Sequence, residues 1–227
     1  MEDEKGTPTP IVTYLLLTVI VMTQIYISLL RPVDAKELYD AFSLTPVNLF
    51  SLVQVDSLLT YMFLHGNLVH LFVNSVALYG AGVLVEREIG RLKYLAVFLV
   101  SGIIAGFIHC ILNFGSEIPL VGSSGAIFGV IAILFLLMPF KLTFTLVVPL
   151  PSVVVGLMLV LVELSALWMA NDIGIAHDVH LSGFVTGGLS AFVLDRKRAL
   201  KGFFIATVIL AIIYYIGAYF NLIPAEG

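Results

Sequence analysis

A hydroxyl becomes a nucleophile when a base sits beside it, and this chain offers Ser124, within Gly122-Ser123-Ser124-Gly125, and His180. An imidazole that takes the serine proton during attack can hand it to a leaving amine, which is the chemistry of peptide-bond cleavage. His70 and Asn74 stand four residues apart, so they share one helical face, continued by Ala77 and Ala81. Both are candidate donors to the oxyanion of a tetrahedral intermediate. The Ser124 backbone amide is a third, because a helix beginning there leaves its first N–H groups unpaired and its dipole positive. One such donor is worth about 3 kcal/mol of barrier.

The elements that must position these residues belong to a membrane. The 227 residues are 60% hydrophobic and 11% charged, against roughly 45–50% and 25% in soluble proteins. So few charges cannot cover a soluble surface. A disordered chain, a basic nucleic-acid-binding domain and a soluble globule are excluded, and the chain reads as an all-α polytopic membrane protein. Charges cluster at 2–5, 31–56, 86–93 and 195–201, leaving apolar runs between them. A helix rises about 1.5 Å per residue, so a hydrocarbon core of roughly 30 Å needs about 20 residues. The runs predict spans over 11–30, 65–85, 94–116, 124–140, 152–171, 180–194 and 202–222. No small-residue cleavage site follows the first, which reads as a retained helix, not a signal peptide.

Lysine and arginine set the orientation. With a cytoplasmic N-terminus, Lys5, Arg87, Arg91, Lys93, Lys141, Arg196, Lys197, Arg198 and Lys201 lie inside, while Arg31 and Lys36 lie outside. That nine-to-two split predicts N-terminus in and C-terminus out. The starts of spans 65–85, 124–140 and 180–194 then share the external face, in what reads as a cell membrane.

Small residues supply the approach. Gly125 and Gly129 line one face of span 124–140, and Gly183 and Gly187 line one face of span 180–194. His180 falls on the Gly183–Gly187 face, so packing through these faces brings His180 to Ser124. Each feature alone has an ordinary structural reading. His65 and His109 read as satisfied structural donors and Cys110 as a packed hydrophobe. Three polar clusters starting at one membrane face are harder to dismiss. Glu163 is the one charge well inside a span, open to a buried hydrogen bond with a neighbouring helix or to a proton relay.

On these residues the chain resembles the rhomboid family of intramembrane serine proteases, over about residues 56–194. The stretch from Leu59-Thr60-Tyr61-Met62-Phe63-Leu64-His65 to Asn74 looks like the family's His-rich second helix, and Val85 to Gly90 like its close. Gly122-Ser123-Ser124-Gly125 fits the GxSG motif, which selects Ser124 over Ser123, and His180 with Gly183, Gly187 and Gly188 fits the sixth helix. The resemblance implies a Ser124–His180 dyad with no acidic third member, acting on transmembrane helices of other proteins. It implies an oxyanion site of His70, Asn74 and the Ser124 amide, lined by Ser123 backbone. It implies a tail over 1–10, a six-helix core over 11–201, and an added C-terminal helix and tail over 202–227. Residues 31–56, with Tyr39, Phe42, Leu49 and Phe50, would form a half-submerged loop. Two departures stand out. The family's Trp-Arg pair in that loop is absent, the only tryptophan being Trp168, and Phe128 replaces the tyrosine that commonly stacks on the imidazole.

A zinc protease would need His-Glu-x-x-His, and neither His65 nor His70 is followed by glutamate. An aspartyl type needs two Asp inside spans, and all seven Asp fall in tails or loops. No metal, cofactor or nucleic acid is expected; the partners expected are transmembrane substrates and the lipid bilayer, with water entering under a roof at 172–179. The alternative is a non-catalytic membrane adaptor or a transporter, since broken helices with polar starts also serve transport.

Overall fold

The computed structural model describes residues 8–146, 148–169 and 174–220. Seven helices occupy the predicted spans, with shifted ends: α1 (Ile11–Leu29), α5 (Leu68–Ile89), α6 (Arg91–Leu112), α7 (Ser124–Leu137), α8 (Ser152–Met169), α9 (His177–Leu194) and α10 (Arg196–Tyr219). Of these, α1, α5, α6, α8 and α10 are long and apolar enough to cross a membrane, and α7 is a shorter apolar helix. The polar first turn of α9, with His177, Asp178 and His180, lowers its hydropathy. The protein is a multi-pass, essentially all-α membrane protein. Lys5 and the last residues of the C-terminal tail lie outside the described residues.

The shifts have local causes. Asn67 caps α5 by accepting from the His70 amide at 2.8 Å, so that helix starts at Leu68 and not at His65. Gly90, at φ 85°, separates α5 from α6 in a conformation open to glycine. Pro139 stops α7 at Leu137. The loop 31–56 is more structured than expected. It holds α2 (Pro32–Phe42) and α3 (Pro46–Phe50), followed by α4 (Ser57–Thr60), with proline opening both α2 and α3. Leu44 and Leu120 exchange backbone hydrogen bonds, tying this loop to the segment before Ser124. Leu49 is buried while Phe42 and Phe50 are exposed.

Helix α7 is the axis: each of its residues after Ser124 is buried. Glycines let its neighbours close on it. A Cβ at Gly183 would lie 2.0 Å from the Gly125 carbonyl oxygen, and one at Gly187 2.1 Å from the Gly129 carbonyl oxygen. Gly202 brings α10 equally close, with a Cβ there 2.0 Å from the Leu136 carbonyl oxygen. In lipid, helices associate through such backbone proximity, because apolar burial gives no advantage over lipid tails.

A β-hairpin between α7 and α8, β1 (Leu142–Leu146) and β2 (Val148–Pro151), was not foreseeable from hydropathy. Thr143 and Thr145 turn the same way, as alternate strand residues do, and are buried against α5. Thr143 Oγ1 donates to the Gly80 carbonyl at 3.0 Å, and a Cβ at Gly80 would lie 2.7 Å from the Thr145 nitrogen.

At the far end of the bundle from Ser124, a buried carboxylate caps α1. Glu86 on α5 accepts from the amides of Val12 and Thr13 at 2.9 and 2.7 Å and from Thr13 Oγ1 at 2.8 Å. Pro10 gives α1 no side-chain cap of its own, so Glu86 satisfies amides that helix starts leave unpaired. Glu86→Ala removes an acceptor from buried donors, each worth about 1–3 kcal/mol. The expected result is a clear drop in melting temperature in detergent, with hydrogen exchange rising first in residues 11–16. Unchanged protection there would show that α1 is held by other contacts.

Candidate active site

Ser124 opens α7 and His180 closes the first turn of α9. The crossing of these helices at Gly125–Gly183 and Gly129–Gly187 sets both residues at one end of the bundle. Ser124, His180, His70, Asn74 and Phe128 line one cavity of about 1280 Å³, with Thr145 of β1 also in its wall. The nucleophile, base and oxyanion donors expected from sequence are therefore brought to a common space.

The two serines differ in surroundings. Ser123 is fully buried, its Oγ 3.5 Å from both His65 Nε2 and Asn74 Oδ1. Ser124 opens on the cavity. Gly122 makes the turn from the segment after α6 into α7 possible. Its φ is +122°, and a Cβ there would lie 2.7 Å from the His70 ring. The imidazole of His70 thus rests against the backbone that carries Ser123 and Ser124. Asn74 donates from Nδ2 to the His70 carbonyl at 2.9 Å, which leaves one further amide hydrogen for a ligand.

Phe128 stacks on His180, with ring centroids 4.4 Å apart and planes 8° from parallel. The aromatic contact anticipated at this position is present without a hydroxyl. His109 and Asp178 pair at 2.7 Å, with Asn113 joining them at 3.2 Å from the same carboxylate, so His109 is a satisfied donor. Asp178 belongs to the first turn of α9 and not to a loop, in a position where the helix dipole favours an acid. His65 departs from expectation: its Nδ1 is buried with no hydrogen-bond partner among the described residues.

Glu163 is the main surprise. It is buried on α8, and its Oε1 lies 2.9 Å from His180 Nδ1 while Oε2 meets His177 Nδ1. The imidazole assigned to the dyad therefore has an acidic neighbour, contrary to what the resemblance implied. Packing of α8 on α9 decides this, and a hydropathy pattern cannot show which residues of two helices face each other. His177 carries no signal of its own in the sequence; what marks it is the His177-x-x-His180 spacing on one helical face, opposite an acid in the preceding span. Glu163, His177 and His180 place one ligand-type atom each within 4.8 Å of one another, the one such cluster of three among the described residues. Of the expected roof at 172–179, residues 172–173 lie outside the described residues, while Gly174, Ile175 and Ala176 line the cavity.

A sequence profile of the Rhomboid domain matches residues 53–197. RHOMBOID-like protein 4 of Arabidopsis thaliana is 35% identical over 137 residues, covering 60% of this chain and 33% of its own length. Rhomboid protease GluP of Bacillus subtilis (strain 168) is 28% identical over 169 residues, or 70% of this chain and 31% of that protein. Inactive RHOMBOID-like protein 8 of Arabidopsis thaliana is 35% identical over 78 residues, or 34% of this chain and 22% of the relative. The matched stretches thus span a third or less of these relatives.

Proposed function

Because this chain belongs to the rhomboid family, we propose that it is an intramembrane serine endopeptidase cutting in or near transmembrane helices of membrane-protein substrates. Ser124 is the nucleophile and His180 the base. The observation that carries this reading is the shared cavity: Ser124 and His180 line it together with His70 and Asn74, on helices locked through glycine. The similarity to a rhomboid protease of Bacillus subtilis supports it.

The chemistry follows from the groups. Ser124 Oγ attacks the scissile carbonyl carbon while His180 Nε2 takes its proton. The resulting oxyanion meets the Ser124 backbone N–H, His70 and the spare Asn74 hydrogen. The C–N bond then breaks, and the imidazolium gives its proton to the leaving amine. Water completes the cycle: His180 removes a proton as the oxygen adds to the acyl carbon, and Ser124 Oγ recovers that proton on leaving. A substrate helix must unwind to present its carbonyl, which favours helix-destabilising residues near the cut and a small residue before it.

The catalytic core runs from residue 11, after a tail over 1–10, through α9, and the added helix is α10, which begins at Arg196 and not at the expected 202. Basic residues gathered at the Glu86 end, with Arg198 Nη1 2.6 Å from Glu88, support a cytoplasmic N-terminus and a site opening outward through the cell membrane. The similarity to an inactive rhomboid-like protein keeps a non-catalytic adaptor as the second reading. A fluorophosphonate separates the two. Labelling of the detergent-solubilised protein should map to the peptide carrying Ser124 and disappear in Ser124→Ala; absence of labelling on well-folded protein would favour the adaptor.

A further inference from the structure

A neutral imidazole carries its one N–H on either nitrogen, and only the tautomer with the hydrogen on Nδ1 leaves Nε2 able to accept a serine proton. Something must choose. A carboxylate only accepts, so the oxygen of Glu163 lying 2.9 Å from His180 Nδ1 requires the hydrogen to be there. We propose that Glu163 completes a Ser124–His180–Glu163 triad as a positioning residue, and that His177 holds it in place. This rests on the assignment of His180 as the base.

The arrangement does two things. In the ground state, the Glu163 contact and the Phe128 stack fix the ring from its edge and from its face. During attack, the ring becomes an imidazolium, and the ionised carboxylate beside it stabilises that charge without taking a proton. Charge interactions are stronger in a low-dielectric interior than in water, so the stabilisation grows with burial. The same burial makes an unaccompanied carboxylate costly. His177 answers that cost: it lies one turn before His180 on the same face of α9 and engages Oε2, so both carboxylate oxygens are occupied. Glu163 enters from α8, which α9 also packs against, and the interaction therefore needs no charge within α7 or on the substrate side of the cavity.

A carboxylate that merely tethered α8 to α9 would also satisfy the geometry, and the experiment must tell the two apart. Glu163→Gln preserves size and one acceptor oxygen but removes the charge and presents an amide hydrogen to one of the rings. In full-length protein, in detergent, kcat for a transmembrane substrate should fall by at least about 100-fold, with KM within about threefold. Fluorophosphonate labelling of Ser124 should slow to a similar extent, and Glu163→Asp should recover part of the loss. A tether would instead lower the melting temperature and leave turnover per folded molecule near wild type. If Glu163→Gln does not fold, nitrogen-15 spectroscopy of wild-type protein labelled at histidine gives the answer directly: His180 should carry its hydrogen on Nδ1, and a hydrogen on Nε2 would overturn the proposal.

Two comparisons complete the test. Ser124→Ala and His180→Ala run beside it; if either cleaves normally, the protease reading falls and this one with it. If both are inactive and Glu163→Gln still turns over within threefold of wild type, only the role of Glu163 is lost. Treatment with EDTA should leave kcat unchanged. Activity lost on chelation and restored by zinc would mean that Glu163, His177 and His180 hold a metal instead of a hydrogen-bonded triad.

Discussion

Ser124→Ala should leave no measurable cleavage of a transmembrane substrate, a fall of more than about 10⁴-fold, while the melting temperature should stay near wild type. The size follows from what is lost: without Oγ no acyl intermediate can form, and water would have to attack unaided. The fold should not notice, because Ser124 lines the cavity and the change removes a single oxygen there. His180→Ala should be equally inactive, since the base and the nucleophile act as a unit. Ser123→Ala, one residue away, removes a buried hydroxyl with two long contacts and retains cleavage. Cleavage surviving in Ser124→Ala would remove the nucleophile from the mechanism.

Gly183→Ala should damage both stability and rate. The added Cβ would lie 2.0 Å from the Gly125 carbonyl oxygen, a backbone atom at the first turn of α7 that cannot rotate away. The helices must part by more than 1 Å or so for ordinary contact to be restored, and overpacking of this sort costs about 1–3 kcal/mol or more. Parting α7 from α9 also draws His180 from Ser124, and a misplacement of about 1 Å can cost about 100-fold in rate. We expect lower thermal stability together with at least that loss in kcat, read on the folded fraction. Gly188→Ala provides the comparison: a Cβ there would be 3.7 Å from Leu136 Cδ1, ordinary contact, and both stability and rate should hold. A normal kcat in Gly183→Ala would mean the crossing tolerates displacement.

The contrast between glycines on one helix shows what the sequence makes legible. Small residues at four-residue spacing announce a close approach, and Gly125, Gly129, Gly183 and Gly187 all meet a partner backbone or side chain at distances no Cβ allows. Helix spans were equally readable, because charge is expensive in lipid and its absence marks the crossing segments. What stayed hidden depended on facing surfaces. Glu163 stood out as an intramembrane acid, yet its partners lie 14 and 17 residues along the chain on another helix, beyond the reach of any local pattern. The hairpin escaped for a related reason. Leu142-Thr143-Phe144-Thr145 alternates as a strand does, but the pattern gains meaning only beside Gly80, where α5 offers no side chain to keep it away.

The brevity and enclosure of α7 carry one more consequence. Fourteen residues give a rod of roughly 21 Å, well short of a hydrocarbon layer of roughly 30 Å, and each residue after Ser124 is covered by protein. Acyl chains do not grip it. When a bilayer thickens or thins, the outer helices must tilt to follow, whereas the rod bearing the nucleophile answers only to its neighbours. Membrane composition should therefore tune how readily a substrate enters and leave the bond-breaking step largely indifferent to the lipid outside.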